Sequence, residues 1–367
     1  MTGLRQNRSR STMLPFDAYA LRHYGAHAFA PDPAKPEEQV FAVSLQSFNK
    51  LLGQSDIFRN AGKARLKVEA GFVDLMTPDA RADHVDGTHY LVMHQALLAT
   101  IIEFALYLFT QSYLLPEIGD ASGEATPSFD RQDAPGLHAL RITLDGTAID
   151  PDRDRVRVPN CADRHVAAIY MALLMSRFVW FHELAHCING HVLYLQNRDL
   201  NAALIGAAAP LNLVALKHKA AGLDQQRKVR HALELDADRT AFEWVLRIQN
   251  AGAENITGLL NFDDMQRFKM TVIGVYMMTW LFEEYQHFAD AQHGMTHPAP
   301  RARLAALTGF MNEAGQHAGI GHALAEVHTT LERLSDKIVG FSFSRKSEAQ
   351  PLIDPGIFAA LEAFRFR

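Results

Sequence analysis

Two histidines and a glutamate form the H-E-x-x-H pattern at His182, Glu183 and His186. The surrounding residues keep helical periodicity from Asp163, a candidate N-cap, and contain no proline until Pro210, so one long helix is predicted here. Because residues four apart share a helix face, the two imidazoles can converge on one metal ion. Glu183 would lie beside them and could reach a water at the metal. The pattern therefore predicts a zinc site with its own general base.

A chain rich in histidine can contain the H-E-x-x-H pattern by chance. The chain has 18 histidines, and the bare motif would arise by chance in about 5% of sequences of such composition. Its position on a long and largely apolar helix argues against chance, because two histidines and a glutamate are poor core residues unless something pairs them.

The third metal ligand must come from elsewhere, since a catalytic zinc takes three protein ligands and leaves a fourth position open. A helix predicted over about 225–249 places Glu234 and Asp238 four apart on one face. Glu234 could complete a two-histidine, one-glutamate site, and Asp238 could accept a hydrogen bond that orients a ligating imidazole. Taken alone, this pair would more simply be a solvated acidic face.

Three motifs, in this order, resemble the gluzincin metallopeptidases of the CAAX prenyl protease and HtpX type. They are HELAHCINGH at 182–191, ELDADRTA at 234–241, and a THP segment at 296–298 that is followed by Arg303 and a leucine. The resemblance covers roughly residues 181–307, about a third of the chain. It implies a zincin-like fold and a zinc-dependent endopeptidase.

The resemblance also implies a role for each matched residue. His182, His186 and Glu234 would bind one zinc ion, Glu183 would be the general base, and Asp238 would support the ligands.

The resemblance also implies roles for two further residues, and each of these has an equally simple structural explanation. His297 would lie near the substrate oxyanion, and Arg303 would pair with acidic groups around the metal. Alternatively, His297 is a turn residue before a proline and Arg303 is an arginine on a helix surface.

Charge and cysteine content narrow the class of protein. With 36 Lys and Arg against 41 Asp and Glu, the net charge of -5 predicts no general attraction to nucleic acid or anionic membranes. Two isolated cysteines, Cys161 and Cys187, form no disulfide framework and favour a cytoplasmic setting. The apolar stretch Leu91–Leu115 is long enough to span a bilayer, but His94 and Glu103 within it favour a buried core helix.

The predicted fold class is mainly α (α+β), with a long active-site helix and a small β element. Strands are predicted at 41–48, 64–73, 137–144 and 155–158, the last as an edge strand that aligns a peptide substrate. Further helices are predicted from Leu91 and over about 263–291.

These elements suggest four parts of the chain. Residues 1–13 would be a disordered tail, and 14–160 a helical N-terminal region that includes a surface loop at 117–136 and the short β element. The metallopeptidase core would be 161–310, and 311–367 a helical C-terminal extension.

The leading functional hypothesis is a zinc endopeptidase that acts on a peptide or protein substrate. The first alternative is a catalytically silent regulatory protein in which the metal is a structural pin, although such a site has no need of Glu183. The second is a membrane-associated protease anchored by the Leu91–Leu115 segment.

Overall fold

The computed structural model describes residues 15–54, 66–124, 156–197, 220–250 and 260–288, and short stretches at 302–303, 306–312, 325–327, 329–330 and 356–365. The named helices are α1 (Phe16–Tyr24), α2 (Gln39–Gln54), α3 (Gln95–Phe109), α4 (Ala162–Ile188), α5 (His191–Asn197), α6 (Ala220–Asn250), α7 (Asp264–Phe288) and α8 (Gly356–Leu361). The strands are β1 (Ala28–Phe29), β2 (Val68–Val73), β3 (Ala80–Val85) and β4 (Thr88–His94). The class is therefore mainly α with a small sheet, and the sequence-based prediction of the class is confirmed.

The four strands form one mixed sheet in the order β1-β2-β4-β3. β4 pairs parallel with β2 and antiparallel with β3, and every residue of β4 is buried. The β3–β4 hairpin turns at Asp86-Gly87, where both residues have positive φ (51° and 80°). An Asp-Gly pair accepts this conformation readily in a two-residue hairpin loop, which fixes the register of the two strands.

Helix α4 is the centre of the molecule. It packs against α2, α3, α6, α7 and the sheet, and its side chains from Tyr170 to Ile188 are almost all buried. Helices that are surrounded by other elements need apolar residues on all faces. The few polar side chains on α4 must therefore find partners inside the protein, which directs attention to Arg164, His182, Glu183 and His186.

Arg164 lies near the start of α4 and is fully buried. Its guanidinium donates five hydrogen bonds to backbone carbonyls at the end of α3 and in the turns that follow, at Phe109, Gln111, Leu114, Leu115 and Ile118. These carbonyls belong to the last residue of α3 and to the turns after it, where the N–H groups of α3 cannot reach them. The arginine therefore supplies hydrogen-bond donors that α3 itself cannot.

We expect Arg164→Met to destabilise the fold by about 3–5 kcal/mol, because it removes a buried charge that satisfies several buried acceptors. The free energy of unfolding in denaturant measures this. Arg239→Met is the control, since Arg239 is exposed on α6 and its ion pair with Glu243 contributes little. A loss for Arg164→Met no larger than for the control would contradict this role.

Two predicted strands are wrong. Residues 41–48 lie inside helix α2, where Phe41 and Phe48 are buried on one face and the Phe48 ring stacks on Trp180 of α4 at 5.2 Å. In the stretch predicted as an edge strand at 155–158, the described residues 156–158 belong to neither strand nor helix, and Val156 and Val158 are exposed. Residues 156–158 therefore form no edge strand that could align a peptide before α4.

The segment 91–115, predicted as one helix, begins in a strand. Leu91 belongs to strand β4, and the helix begins only at Gln95. Helix α3 is largely buried, as the core-helix interpretation predicted, and within the part of the chain that the structure describes no helix is both long and apolar enough to cross a bilayer. The predicted strand at 64–73 is present as β2, over 68–73.

The single long helix predicted from Asp163 is two helices. Its N-cap residue is Cys161 rather than Asp163, and the backbone N–H groups of Asn160 and Cys161 are held by the Glu124 carboxylate, both at 3.0 Å. Helix α4 ends at Ile188, and the chain turns through Gly190 (φ 78°) before α5 begins.

The predicted helices over 225–249 and 263–291 correspond to α6 and α7. Residues 1–13 and 137–144 lie outside the described residues. So do 125–136 of the predicted loop, whose first part, 117–124, is a series of turns. The four-part division of the chain stays a prediction.

Candidate metal centre

Three side chains from two helices meet in the core between α4 and α6. His182 and His186 stand one turn apart on α4, and Glu234 faces them from α6. The two Nε2 atoms are 3.0 Å apart, and the Glu234 carboxylate lies 3.3 Å from Nε2 of His182 and 3.6 Å from Nε2 of His186. All three residues are buried, and one ligand atom from each can be chosen so that the atoms all lie within 4.8 Å of one another.

These distances fit a tetrahedral metal ion. Bonds of about 2.0–2.1 Å to nitrogen and oxygen put tetrahedral ligand atoms about 3.3–3.4 Å apart. The observed separations are close to that value: 3.0 Å between the two Nε2 atoms, 3.3 Å from His182 Nε2 to Glu234 Oε2, and 3.6 Å from His186 Nε2 to Glu234 Oε1. Two imidazoles and one carboxylate are also a donor set that suits zinc. The residues present therefore fit the zinc ion that the sequence predicts.

Asp238 and Arg303 lie directly behind His182. Asp238 Oδ1 is 2.9 Å from His182 Nδ1, and the Arg303 guanidinium donates two hydrogen bonds to the Asp238 carboxylate at 2.6 and 2.8 Å. All three residues are buried. When His182 Nδ1 carries a hydrogen toward Asp238, its Nε2 lone pair points at His186 and Glu234.

The electrostatics of this cluster favour a cation. Burial lowers the pKa of His182, but hydrogen bonds to Asp238 and Glu234 outweigh burial and raise the pKa to about 10. The Arg303 guanidinium holds the pKa of Asp238 below its usual range despite burial. A field that stabilises a proton on His182 also stabilises a metal cation between the same groups.

Glu183 sits beside the histidines and is fully buried. Neither of its carboxylate oxygens has a hydrogen-bond partner among the residues that the structure describes. Burial raises the pKa of Glu183 well above its usual value. A buried carboxylate without a partner costs stability, so its presence next to three candidate metal ligands indicates a functional role.

A second group of polar side chains lies behind His186. His186 Nδ1 is 2.9 Å from His191 Nδ1, and His191 Nε2 is 3.1 Å from Asp236 Oδ2. Asp236 also accepts hydrogen bonds from Asn189 Nδ2 at 2.8 Å and from Arg365 at 3.1 Å.

Sequence reasoning did not identify Asp236, Asn189 or Arg365. Asp236 stands two residues from both Glu234 and Asp238, which does not place it on their side of a regular helix. The sequence did contain one indication of this group, the Asn-Gly pair at 189–190, which is typical of a helix end. In the structure this pair ends α4 and turns His191 back toward His186.

The structure brings together six of the seven residues singled out from the sequence. The six are His182, Glu183, His186, Glu234, Asp238 and Arg303. The seventh, His297, lies outside the described residues, so its proposed position near the substrate oxyanion stays a prediction. The alternative for Arg303, a surface arginine, is wrong because its side chain is buried against Asp238.

The comparison with family models gives one match. Residues 143–324, about half of the chain, match the family model for Peptidase U49. This range includes the two helices that carry the candidate metal ligands. Comparisons with curated proteins and with solved structures returned no match. The family match supports a peptidase, and hence a peptide or protein substrate.

Proposed function

We propose that this protein is a zinc-dependent endopeptidase whose metal is held by His182, His186 and Glu234. The observation that carries the proposal is the buried triangle of two Nε2 atoms and one carboxylate beside the unpartnered carboxylate of Glu183. The match to a peptidase family model supports the same reaction class. The closer relationship to the CAAX prenyl protease and HtpX type rests on the sequence motifs alone.

The metal and Glu183 would divide the chemistry of peptide hydrolysis between them. Zinc in this site would supply a Lewis acid and lower the pKa of a water molecule to about 7. Glu183 would accept the proton of the attacking water and return it to the nitrogen of the leaving amine. Burial raises the pKa of Glu183 above its usual value, which favours proton uptake by this carboxylate.

The surrounding residues would hold the ligands in place. Asp238 would keep the Nδ1 hydrogen of His182 on the outer side of the ring, and Arg303 would keep the Asp238 carboxylate charged and oriented. His297 is our candidate for the donor to the oxyanion, on the basis of the sequence motif. Two free cysteines, Cys161 and Cys187, favour the reducing cytoplasm as the compartment.

One observation favours a second function, that of a metal-binding regulatory protein without catalysis. The three candidate ligands and Glu183 are each at most 3% exposed, which gives a peptide little direct access to them. A structural zinc is typically enclosed in this way. Such a site, however, gives no role to Glu183, whose burial without a partner would only destabilise the protein.

Removal and return of the metal separate these functions. We expect the protein to cleave unfolded casein or members of a peptide library, to lose this activity after treatment with 1,10-phenanthroline, and to regain it on addition of zinc but not magnesium. The measurement is the cleavage rate by mass spectrometry of the products. Zinc that binds tightly without any cleavage would favour the regulatory protein, and cleavage that survives complete metal removal would contradict the proposed mechanism.

A further inference from the structure

The arrangement behind His186 mirrors the arrangement behind His182, but with one more link. His182 contacts an aspartate of α6 directly, whereas His186 reaches an aspartate of the same helix through His191. In both cases an arginine from a later part of the chain contacts the aspartate: Arg303 for Asp238 and Arg365 for Asp236.

The direction of each hydrogen bond in the His186 arm follows from metal binding. A ligating Nε2 must offer its lone pair, so the Nδ1 of neutral His186 carries the hydrogen and donates it to His191 Nδ1. His191 then accepts at Nδ1 and carries its own hydrogen on Nε2, which donates to Asp236 Oδ2. Only one assignment of tautomers satisfies both contacts and leaves the His186 lone pair free for a metal.

Besides His191, Asp236 is held by Asn189 and Arg365. Asn189 donates to Asp236 Oδ2 from the end of α4, and one nitrogen of the Arg365 guanidinium lies 3.1 and 3.3 Å from the two carboxylate oxygens. With His191 Nε2 at 3.1 Å, donors from three residues therefore converge on the Asp236 carboxylate.

The C-terminal segment is fixed against the same turn. Phe364, next to Arg365, packs its backbone onto Gly190, where an added Cβ would come within 2.5 Å of the Phe364 backbone. The Phe364 ring also meets Tyr194 of α5 edge-on, with ring centroids 5.8 Å apart. Glycine at 190 therefore serves both the positive φ of the turn and the close approach of the C-terminal segment.

We propose that Asp236, anchored by Arg365 of the C-terminal segment, is a positioning residue that fixes the tautomer and orientation of His186 through His191. The inference rests on the metal site proposed above. It makes residues 356–365 part of the support of the metal centre, although they lie beyond the range matched by the family model. Loss of such support typically weakens metal binding by about 10- to 100-fold without removing a ligand.

The test measures zinc affinity by competition with a chelating dye for the full-length protein. We expect Asp236→Asn to bind zinc about 10- to 100-fold more weakly than wild type, because the neutral amide is a poorer acceptor for His191 Nε2. Asp264→Asn is the matched control, since Asp264 is exposed at the start of α7. Its zinc affinity should equal that of wild type.

Two variants of Arg365 separate positioning from folding, because the Arg365 side chain is partly exposed and we expect its replacement to leave the fold intact. Arg365→Met should weaken zinc binding about three- to tenfold, whereas Arg365→Lys should stay within about twofold of wild type, since a single guanidinium nitrogen makes the contact to Asp236. The double variant Asp236→Asn/Arg365→Met should bind zinc no more weakly than Asp236→Asn alone, because both changes act on the same arm.

The outcomes distinguish this inference from the proposed function. If wild type binds zinc and both Asp236→Asn and Arg365→Met bind it equally tightly, the positioning role is overturned while the metal site stands. If Asp236→Asn does not fold, the comparison of Arg365→Met with Arg365→Lys decides, and equal affinities for the two overturn the role. If wild type itself binds no zinc, the proposed function fails first.

Discussion

Glu183→Gln should slow peptide cleavage strongly while zinc stays bound. We expect the rate to fall by about 10²- to 10⁴-fold, the usual contribution of a general base, because glutamine cannot accept the proton of the attacking water. The zinc content should be unchanged, since the three proposed ligands, His182, His186 and Glu234, are intact. The two measurements are the cleavage rate on the best peptide from a library and the metal content of the same sample.

The stability of this variant gives a second and independent result. Glu183 is fully buried and neither oxygen has a partner among the described residues, so an uncharged amide should be tolerated at least as well. For the metal-free proteins we expect Glu183→Gln to match or exceed wild type in unfolding free energy, by up to about 1–3 kcal/mol. A side chain kept for stability would show the opposite sign.

The matched control for this substitution is Glu243→Gln, which makes the same chemical change at a partly exposed position on α6. It should leave cleavage, zinc content and stability unchanged. Full activity in Glu183→Gln would remove the general base from the mechanism, and activity lost together with zinc would point to a disturbed metal site instead.

Glu234→Ala should remove the metal itself. Without this carboxylate, two imidazoles from one helix remain, and we expect zinc affinity to fall by about 100-fold or more, beyond the loss of a supporting residue. Peptide cleavage should disappear at ordinary zinc concentrations and return in part when zinc is raised. Glu243→Ala, on the same helix, should retain both zinc and activity.

The contrast with Glu183→Gln is the informative part of this experiment. One variant should be inactive with zinc bound, and the other inactive because zinc is lost. If Glu234→Ala kept zinc at wild-type affinity, another side chain would have to be the third ligand and the geometry of Glu234 against His182 and His186 would be incidental.

The inner residues of the candidate site could be predicted from the sequence because helix periodicity is local. The spacing of His182 and His186 on α4, and of Glu234 and Asp238 on α6, determines which side chains share a face wherever the helices are placed. That the two faces meet does not follow from spacing. The resemblance to known metallopeptidases is what predicts that the two faces meet.

The outer part of the site depends on contacts between residues far apart in the chain. Arg365 reaches Asp236 across 129 positions, and Phe364 packs on Gly190, so neither contact leaves a local pattern. The turn at Gly190, which separates α4 from α5, also depends on a distant contact. A glycine within an apolar helical pattern is compatible with one continuous helix, and the turn packs against the C-terminal segment.

The N-terminal sheet was only partly predicted, for two different reasons. Residues 41–48 have aromatic and β-branched residues that suit a strand, yet Phe41, Ser44 and Phe48 also lie on one helical face, and packing of that face on Trp180 decides the outcome. The β3–β4 hairpin did have a local sequence signal, the Asp86-Gly87 pair between two stretches of strand length, which the sequence analysis did not use.

Elemental analysis of the wild-type protein, purified without chelator, tests whether this fold binds one catalytic zinc ion. We expect about one zinc per chain, the stoichiometry of a single site with two histidines and one glutamate as ligands. A folded wild-type protein that contains no zinc, and that takes up none when zinc is supplied, would show that the fold has no such site.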